Sequence, residues 1–378
     1  MEVVSYIKKY LSAKHNGQKE EAQELKRKMI KGGRGVIAGY TSGRPMLSTI
    51  AAAAFYITES REGKEELSDI FRAYYPNTKN KGWIQRIKRD IYYTEFYYQI
   101  NADEYFRYQF ENLSKAGRKK YVGDNELIAR FKKMDDPEEK QILADKYNTY
   151  CKFTKYYKRD VILVKNKDDY ASFRDFCIVH PTFFIKPLSL CSGHGVRKLE
   201  IGKEGTAEEI FRTVVEKGPM IVEEPIKQAE EMGKYHHQSI NTVRIVTFQK
   251  DGKIDIVQSS VRLGMGESVV DNGCLSASVD LENGIITSPG RAAHQKGLYL
   301  KHPDTNIQIL GSHIPEWERL LAQVREQAKV LKKQRIVGWD MAYSVDGWVI
   351  VEANSHPGIQ ILAGNGIGMR DVFEEITR

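Results

Sequence analysis

A chain of 378 residues, 41% apolar and 29% charged, has the balance of a soluble protein with room for two or three domains and a well-buried core. Its longest apolar run, residues 45–57, is too short to cross a bilayer, and the opening MEVVSYIKKY lacks a secretory pattern, so a cytoplasmic location is expected. Four scattered cysteines, none in a CxxC pair, indicate neither a disulfide framework nor a zinc site. The formal charge of +8 is uneven: residues 1–160 carry 32 basic against 22 acidic side chains, residues 161–378 carry 26 against 28. Two parts with different tasks are implied.

Residues 1–140 read as helices. A charged helical pattern over 18–31 is stopped by Gly32-Gly33. Ile84, Ile87 and Ile91 fall at helical spacing and lead into an aromatic stretch, 92–110. Pro137, after Asp135-Asp136, suits a first helical turn, where its missing N–H costs nothing. Tyr92, Tyr93, Tyr97 and Tyr98 could stack on nucleic-acid bases. So many aromatic rings are better spent packing helices against the catalytic body, and no nucleic acid is expected. The basic surplus, with Arg118, Lys119 and Lys120, invites an anionic partner, and an anionic membrane surface would serve. The oligomeric state is not legible.

From Val161 the texture changes. DVILV (160–164), TFFIK (182–186) and MIVEE (220–224) read as short strands, separated by helical patterns over Tyr170–Val179 and Ala207–Glu216. Two long strands, 241–248 and 253–263, follow. A helix then puts Trp317, Leu320, Leu321, Val324, Ala328 and Leu331 on one face. A hairpin, 336–343 with 347–354, and a short helix near 370–376 close the chain. The expected divisions are 1–140, 141–222 and 223–378.

The hairpin carries the strongest chemical signal. Glu352 and Asn354, two apart on a strand, project from one face. A three-residue loop, Val345-Asp346-Gly347, would put Asp340 opposite Glu352, with Gly347 in the left-handed conformation that this loop wants. Two carboxylates and an amide oxygen are hard donors suited to Mg²⁺, and Mn²⁺ would fit them too. Within so apolar a hairpin, a polar trio needs partners.

Upstream, Lys186 ends an apolar strand, and Ser189, Ser192, Gly193 and Gly195 form a small-residue loop whose N–H groups could wrap a phosphate. This is neither a Walker A sequence nor a GxGxxG fingerprint. Lys146 is unremarkable alone. Glu223, Glu224 and Ile226 could make a hinge for a base and a ribose, or a plain exposed strand end. Arg244 and Arg262, each within an apolar strand, require an anionic partner, either a carboxylate or a phosphate. A three-residue loop at Lys250-Asp251-Gly252 would set both on one face, and Asn272 could close the same pocket.

Taken in order, the segments DK (145–146), FFIKPLSLCSGHGV (183–196), IVEEPI (221–226), SINTVRIVT (239–247), VRLGMGESVVDNG (261–273) and VGWDMAYSVDGWVIVEANSHPG (337–358) resemble the ATP-grasp superfamily. The narrower resemblance is to its sugar-transfer-associated members. It implies an α+β fold in which two α+β subdomains sandwich ATP, preceded by a helix-rich N-terminal region. Lys146 and Lys186 then hold the α- and β-phosphates, residues 189–195 cover them, and Glu223 to Ile226 form the adenine hinge. Arg244, Arg262 and Asn272 address the γ-phosphate and an acyl-phosphate, and Asp340, Glu352 and Asn354 hold the metal.

D-alanine–D-alanine ligases carry an arginine two residues before the aspartate, where this chain has Gly338, so the anion-stabilising role passes to Arg262. The implied reaction is ATP- and Mg²⁺-dependent carboxylate–amine ligation through an acyl-phosphate. Its substrates would be a small or sugar-linked carboxylate and an amine, in polysaccharide biosynthesis. Phosphoryl transfer to a hydroxyl, or nucleotide binding without ligation, are the alternatives.

Overall fold

The computed structural model describes residues 41–58, 61–189, 195–267, 274–292, 297–358 and 368–377, with single positions at 9, 12, 38 and 366. The helix expected over 18–31 lies outside the described residues. The chain divides into two compact units, one of residues 1–130, 294–297 and 358–378, the other of 131–293 and 298–357. The first boundary falls ten residues before the expected one at 140, and the last segment belongs with the N-terminal part. Side-chain chemistry explains this. Arg370 donates to the Lys119 and Tyr121 carbonyls at 2.8 and 2.9 Å and pairs with Glu126 at 3.0 Å, while Phe373 lies under the Arg130 guanidinium at 4.7 Å.

The first unit is helical: Pro45–Thr58, Arg61–Tyr74, Lys81–Tyr98, Ala102–Arg107 and Asp124–Phe131 are its longer described helices. Asn80 caps the third through Trp83 N–H, and Asn101 with Glu104 makes a reciprocal capping box for the fourth. The aromatic stretch was expected to pack on the catalytic body. Instead Tyr92, Phe96, Tyr98, Tyr105, Phe106 and Phe110 form this unit's own core with Phe55, Phe71 and Tyr74. Edge-on and tilted pairs such as Phe71–Phe106, with centroids 5.0 Å apart, suit the ring quadrupoles.

The second unit holds two antiparallel sheets. The smaller comprises β1 (Val161–Val164), β2 (Thr182–Pro187), β3 (Arg197–Glu200) and β4 (Met220–Glu223), in the order β1-β4-β2-β3. Its core draws Phe173, Phe176, Phe211 and Val214 from the helices Tyr170–Val179 and Ala207–Glu216. The larger runs β10-β9-β5-β6-β7-β8, comprising β5 (Thr242–Lys250), β6 (Lys253–Leu263), β7 (Leu275–Ser278), β8 (Arg291–Ala292), β9 (Ile336–Ser344) and β10 (Gly347–Asn354). The helix Trp317–Ala328 buries Leu320, Leu321, Val324 and Ala328 in one core with Val243, Ile245, Val261, Trp339 and Met341 of that sheet.

Both hairpins set the expected faces by an unexpected route. Lys250 pairs with Lys253 across a two-residue turn, Asp251-Gly252, with φ of +51° and +78°, rather than across a three-residue loop. A bulge skips Val257, so Arg244 opposes Ser260 and Thr242 opposes Arg262, and the two arginines share a face. Likewise Ser344 pairs with Gly347 (φ +87°) rather than with Trp348, and a bulge at Val351 then sets Asp340 opposite Glu352.

Candidate nucleotide and metal site

Directly opposed residues of antiparallel strands share a face. Glu352, Asp340, Arg244 and Ser260 therefore form one row across β10, β9, β5 and β6. Arg244 grips Asp340 in a two-point bridge, Nε to Oδ1 at 2.6 Å and Nη2 to Oδ2 at 2.5 Å. Burial would raise the Asp340 carboxyl, but Arg244, with help from Arg262, holds it below the ordinary carboxylate range. Glu352 moves the other way: burial and the facing Asp340 push it up, against the pull of Lys146, Lys186 and Arg244. Two carboxylates opposed across the hairpin, with the Asn354 amide next on the same face of the strand, form a set of hard oxygen donors. The residues fit a divalent cation of the Mg²⁺ kind.

Lys186 comes from the smaller sheet and Lys146 from the start of a helix. The helix Lys146–Phe153 starts at Asp145, whose side chain caps Asn148 N–H, and the Lys146 backbone N–H donates to Leu188 O at 3.0 Å, just beyond β2. Lys146 Nζ lies 3.8 Å from Glu352 Oε1. Lys186, on β2, donates to Glu223 Oε2 at 2.9 Å. Lys146, Ser189, Glu223, Glu352 and Asn354 line a cavity of about 260 Å³ together with Tyr157 and His356. Glu224, Pro225 and Ile226 line a separate crevice with Tyr157, Arg159 and Val349.

Three site expectations need restating. Glu223 was placed in the hinge with a carboxylate free for a ribose. It is instead buried and paired with Lys186 and with Arg159, which donates from Nε at 3.1 Å and Nη2 at 2.8 Å. Burial opposes its charge, yet the two cations push its carboxyl down to about 2. Arg159 was missed. Its Nη1 also donates to Ile350 O on β10 at 2.7 Å, so it ties the two sheets together, and nothing in KRDVILV marks it out from its basic neighbours. Ser192, Gly193 and Asn272 lie outside the described residues, whereas Gly195 is described with φ +76°. Finally, Gly338 has a reason to be glycine: a Cβ there would sit 2.6 Å from Pro357 Cβ. An arginine at this position has no room.

Residues 129–378, about two thirds of the chain, match the family described as sugar-transfer associated ATP-grasp, and the chain belongs to that family. Among solved structures it is similar to the D-alanyl-alanine synthetase A of Vibrio cholerae, at 10% identity over 62% of this chain and 64% of that one, with a TM-score of 0.41. The phosphoribosylamine–glycine ligase of Thermotoga maritima gives 14% identity over 64% and 56%, TM-score 0.43. The D-alanine–D-alanine ligase of Helicobacter pylori gives 14% over 62% and 60%, TM-score 0.39. The chain thus spans less than two thirds of each of these proteins, and the family match, not these likenesses, carries the assignment. No curated protein matches it. No described helix is long and apolar enough to cross a membrane.

Proposed function

We propose that the chain is an ATP-dependent carboxylate–amine ligase, ADP-forming and acting through an acyl-phosphate. The observation that carries this reading is a set of three cation–carboxylate pairs, Lys186–Glu223, Lys146–Glu352 and Arg244–Asp340, brought together in one unit, with Lys146, Glu223 and Glu352 on the wall of the same cavity. Each cation can exchange its carboxylate for a phosphate oxygen, one charge-assisted hydrogen bond for another, at small net cost. Lys146 and Lys186 then hold the polyphosphate, and the crevice at Glu224–Ile226 takes the base. Asp340, Glu352 and Asn354 would hold a divalent cation, Mg²⁺ or Mn²⁺, which neutralises phosphate charge when bound.

A carboxylate oxygen of the substrate attacks the γ-phosphorus, and the bond from that phosphorus to the bridging oxygen of ADP breaks. The amine next adds to the acyl carbon, loses a proton and expels inorganic phosphate. Arg262, on the same face as Arg244, supplies the cation for the oxyanion between these events.

The substrates we infer are a sugar-linked or amino-acid carboxylate and an amine, in polysaccharide assembly in the cytoplasm. The test is ADP release over paired sugar acids, amino acids and amines, followed by trapping with hydroxylamine. A ligase gives hydroxamate in proportion to ADP. ADP with a phosphorylated hydroxyl and no hydroxamate would replace this reading with phosphotransfer.

A further inference from the structure

Three charged donors converge on one oxygen of Glu223. Arg159 Nε and Nη2 reach Oε2 at 3.1 and 2.8 Å, and Lys186 Nζ reaches the same atom at 2.9 Å. The strand pairing brings this about. Val161 of β1 and Phe184 of β2 both oppose Glu223 on β4, with Arg159 two residues before the one and Lys186 two after the other. A carboxylate offers about four lone-pair sites over its two oxygens, so three donors are more than Oε2 needs. Burial opposes the charge of this carboxyl, yet the two cations hold it down at about 2, so at neutral pH it is an anion.

The two cations are held differently. Arg159 is built in. Its side chain is 3% exposed, its Nη1 donates to Ile350 O at 2.7 Å and to Tyr157 O at 3.2 Å, and its guanidinium lies 4.4 Å from the centre of the Tyr157 ring. Lys186 holds Glu223 through one ammonium on a flexible four-carbon stem, with 16% of its side chain exposed. Of the two, the lysine is the one free to turn. Were it the sole cation at Glu223, turning towards a phosphate would strand a buried carboxylate, and the phosphate contact would not make good that loss. With Arg159 in place, Oε2 keeps two charged donors after the lysine has gone.

We propose that Arg159 is a positioning residue for the nucleotide phosphates: by matching Glu223 on its own, it releases the Lys186 ammonium from Oε2 to a phosphate oxygen. The proposal rests on the phosphate role given to Lys186 above and adds the residue that makes the exchange possible. Arg159 itself contacts no phosphate.

The test is calorimetry on the full chain with Mg²⁺, using ATP and adenosine as separate probes. The quantity read is the ratio of the two affinities, in which contacts to base and ribose cancel, as does a general loosening of the fold. Arg159→Met leaves Lys186 as the sole cation at Oε2, so the ratio should fall by about tenfold or more. Glu223→Gln removes the anion that competes with phosphate, so the ratio should hold or rise. Arg159→Met combined with Glu223→Gln needs no cation at this position, and its ratio should come within about threefold of Glu223→Gln alone. Arg159→Lys keeps a charge beside Glu223 and should stay within about threefold of the unmodified chain.

An unchanged ratio in Arg159→Met would overturn the proposal, because any loss would then be shared by adenosine and belong to the fold or the base crevice. A ratio that falls in Glu223→Gln would overturn it too, since Glu223 would then aim the lysine rather than compete for it. So would a double variant whose ratio stays about tenfold below that of Glu223→Gln, because Arg159 would be acting otherwise than through that carboxylate. This last comparison stands even where the single Arg159→Met chain does not fold, since the double variant buries no unmatched anion. Failure of the unmodified chain to bind ATP more tightly than adenosine would instead sink the phosphate role of Lys186, and with it the nucleotide reading itself.

Discussion

Both units bury carboxylates, and they satisfy them by different means. In the helical unit Glu104, at 1% exposure, accepts the Asn101 and Asp124 backbone N–H groups at 2.9 and 2.8 Å and the Tyr108 hydroxyl at 3.3 Å. In the two-sheet unit Asp340, Glu352 and Glu223 face Arg244, Lys146 and Lys186. A backbone donor belongs to its helix cap and cannot be lent elsewhere. An ammonium on a four-carbon stem can leave its carboxylate for a phosphate. Buried carboxyls held by neutral donors are architecture, and buried anions held by cations at a cavity are a site waiting for a competing anion.

The sharpest way to break this comparison is to remove one cation from each unit. Arg244→Met strands Asp340 as a buried, unmatched carboxylate, which should cost about 3–5 kcal/mol in denaturant unfolding and abolish ATP turnover. Glu352→Ala should leave the fold intact and still abolish turnover. Arg118→Met removes the partner of Asp90, bridged at 2.9 and 2.6 Å, from the helical unit. Its cost should be smaller, about 1–3 kcal/mol, with the ATP affinity of the folded protein unchanged. A folded Arg118→Met protein that no longer binds ATP would erase the distinction between the units.

Lys186→Met asks whether a cation of the second unit is exchangeable. Its ammonium is placed for phosphate oxygens, so ATP affinity should fall by about 10- to 100-fold while adenosine affinity barely moves. Equal losses for both ligands by calorimetry would show that Lys186 only braces Glu223.

Much of this was legible beforehand. The short strands, the amphipathic helix from Trp317 and the closing hairpin follow from periodicity, and the order of lysine, acidic strand end, arginine strands and carboxylate hairpin carried the family. The bulges at Val257 and Val351 were not legible, because neither has the glycine or proline that usually marks a break in a strand. At β9–β10 the longer turn expected stands in for the bulge, one residue for one, whereas at β5–β6 the register ends two residues from the expected one, which leaves the shared face the same. Arg159 was invisible for another reason: its partner Glu223 is 64 residues away, and no local pattern encodes so long a contact. Gly338 looked like a missing arginine until Pro357 was seen in its place.

Acid and base should pull the two units in opposite directions. Burial and the neighbouring Asp124 raise the Glu104 carboxyl well above its ordinary range, so its folded form prefers the proton. Its contribution to stability is complete below the ordinary carboxylate pKa and is lost as pH rises through the raised one. Glu223, pushed down to about 2, contributes above the ordinary value and loses that contribution as pH falls toward 2. Glu352, also raised, shares the sign of Glu104, so the effect has to be read locally. Hydrogen exchange corrected for intrinsic rate should show protection of 101–125 falling between pH 5 and pH 8, with β4 steady until the solution is strongly acidic. Glu104→Gln should flatten the first response. An unchanged slope in that variant would remove Glu104 as its cause.

The smallest expected effect separates three consecutive basic residues. Arg118, Lys119 and Lys120 look alike in the sequence, as one patch inviting an anionic partner. The structure divides them. Arg118 is built in: it bridges Asp90, donates to Phe110 O at 3.1 and 2.7 Å, and stands 5.4 Å from the Phe110 ring. Lys119 and Lys120 are exposed, and they bond to the fold through the backbone: both carbonyls accept from Arg370, and the Lys120 N–H donates to Gly117 O. Reversing both lysines to glutamate should therefore change stability by no more than about 0.5 kcal/mol, the ordinary range for surface substitutions. If the basic surplus of the helical part steers an acidic substrate, the double variant should bind that substrate more weakly at low salt. The difference should fade once the Debye length shortens to about 8–10 Å near physiological ionic strength. ATP affinity should be the same at every salt concentration. A loss that persists at high salt, or one shared by ATP, would mean that these lysines act by contact or through the fold, and the steering role would have to be given up.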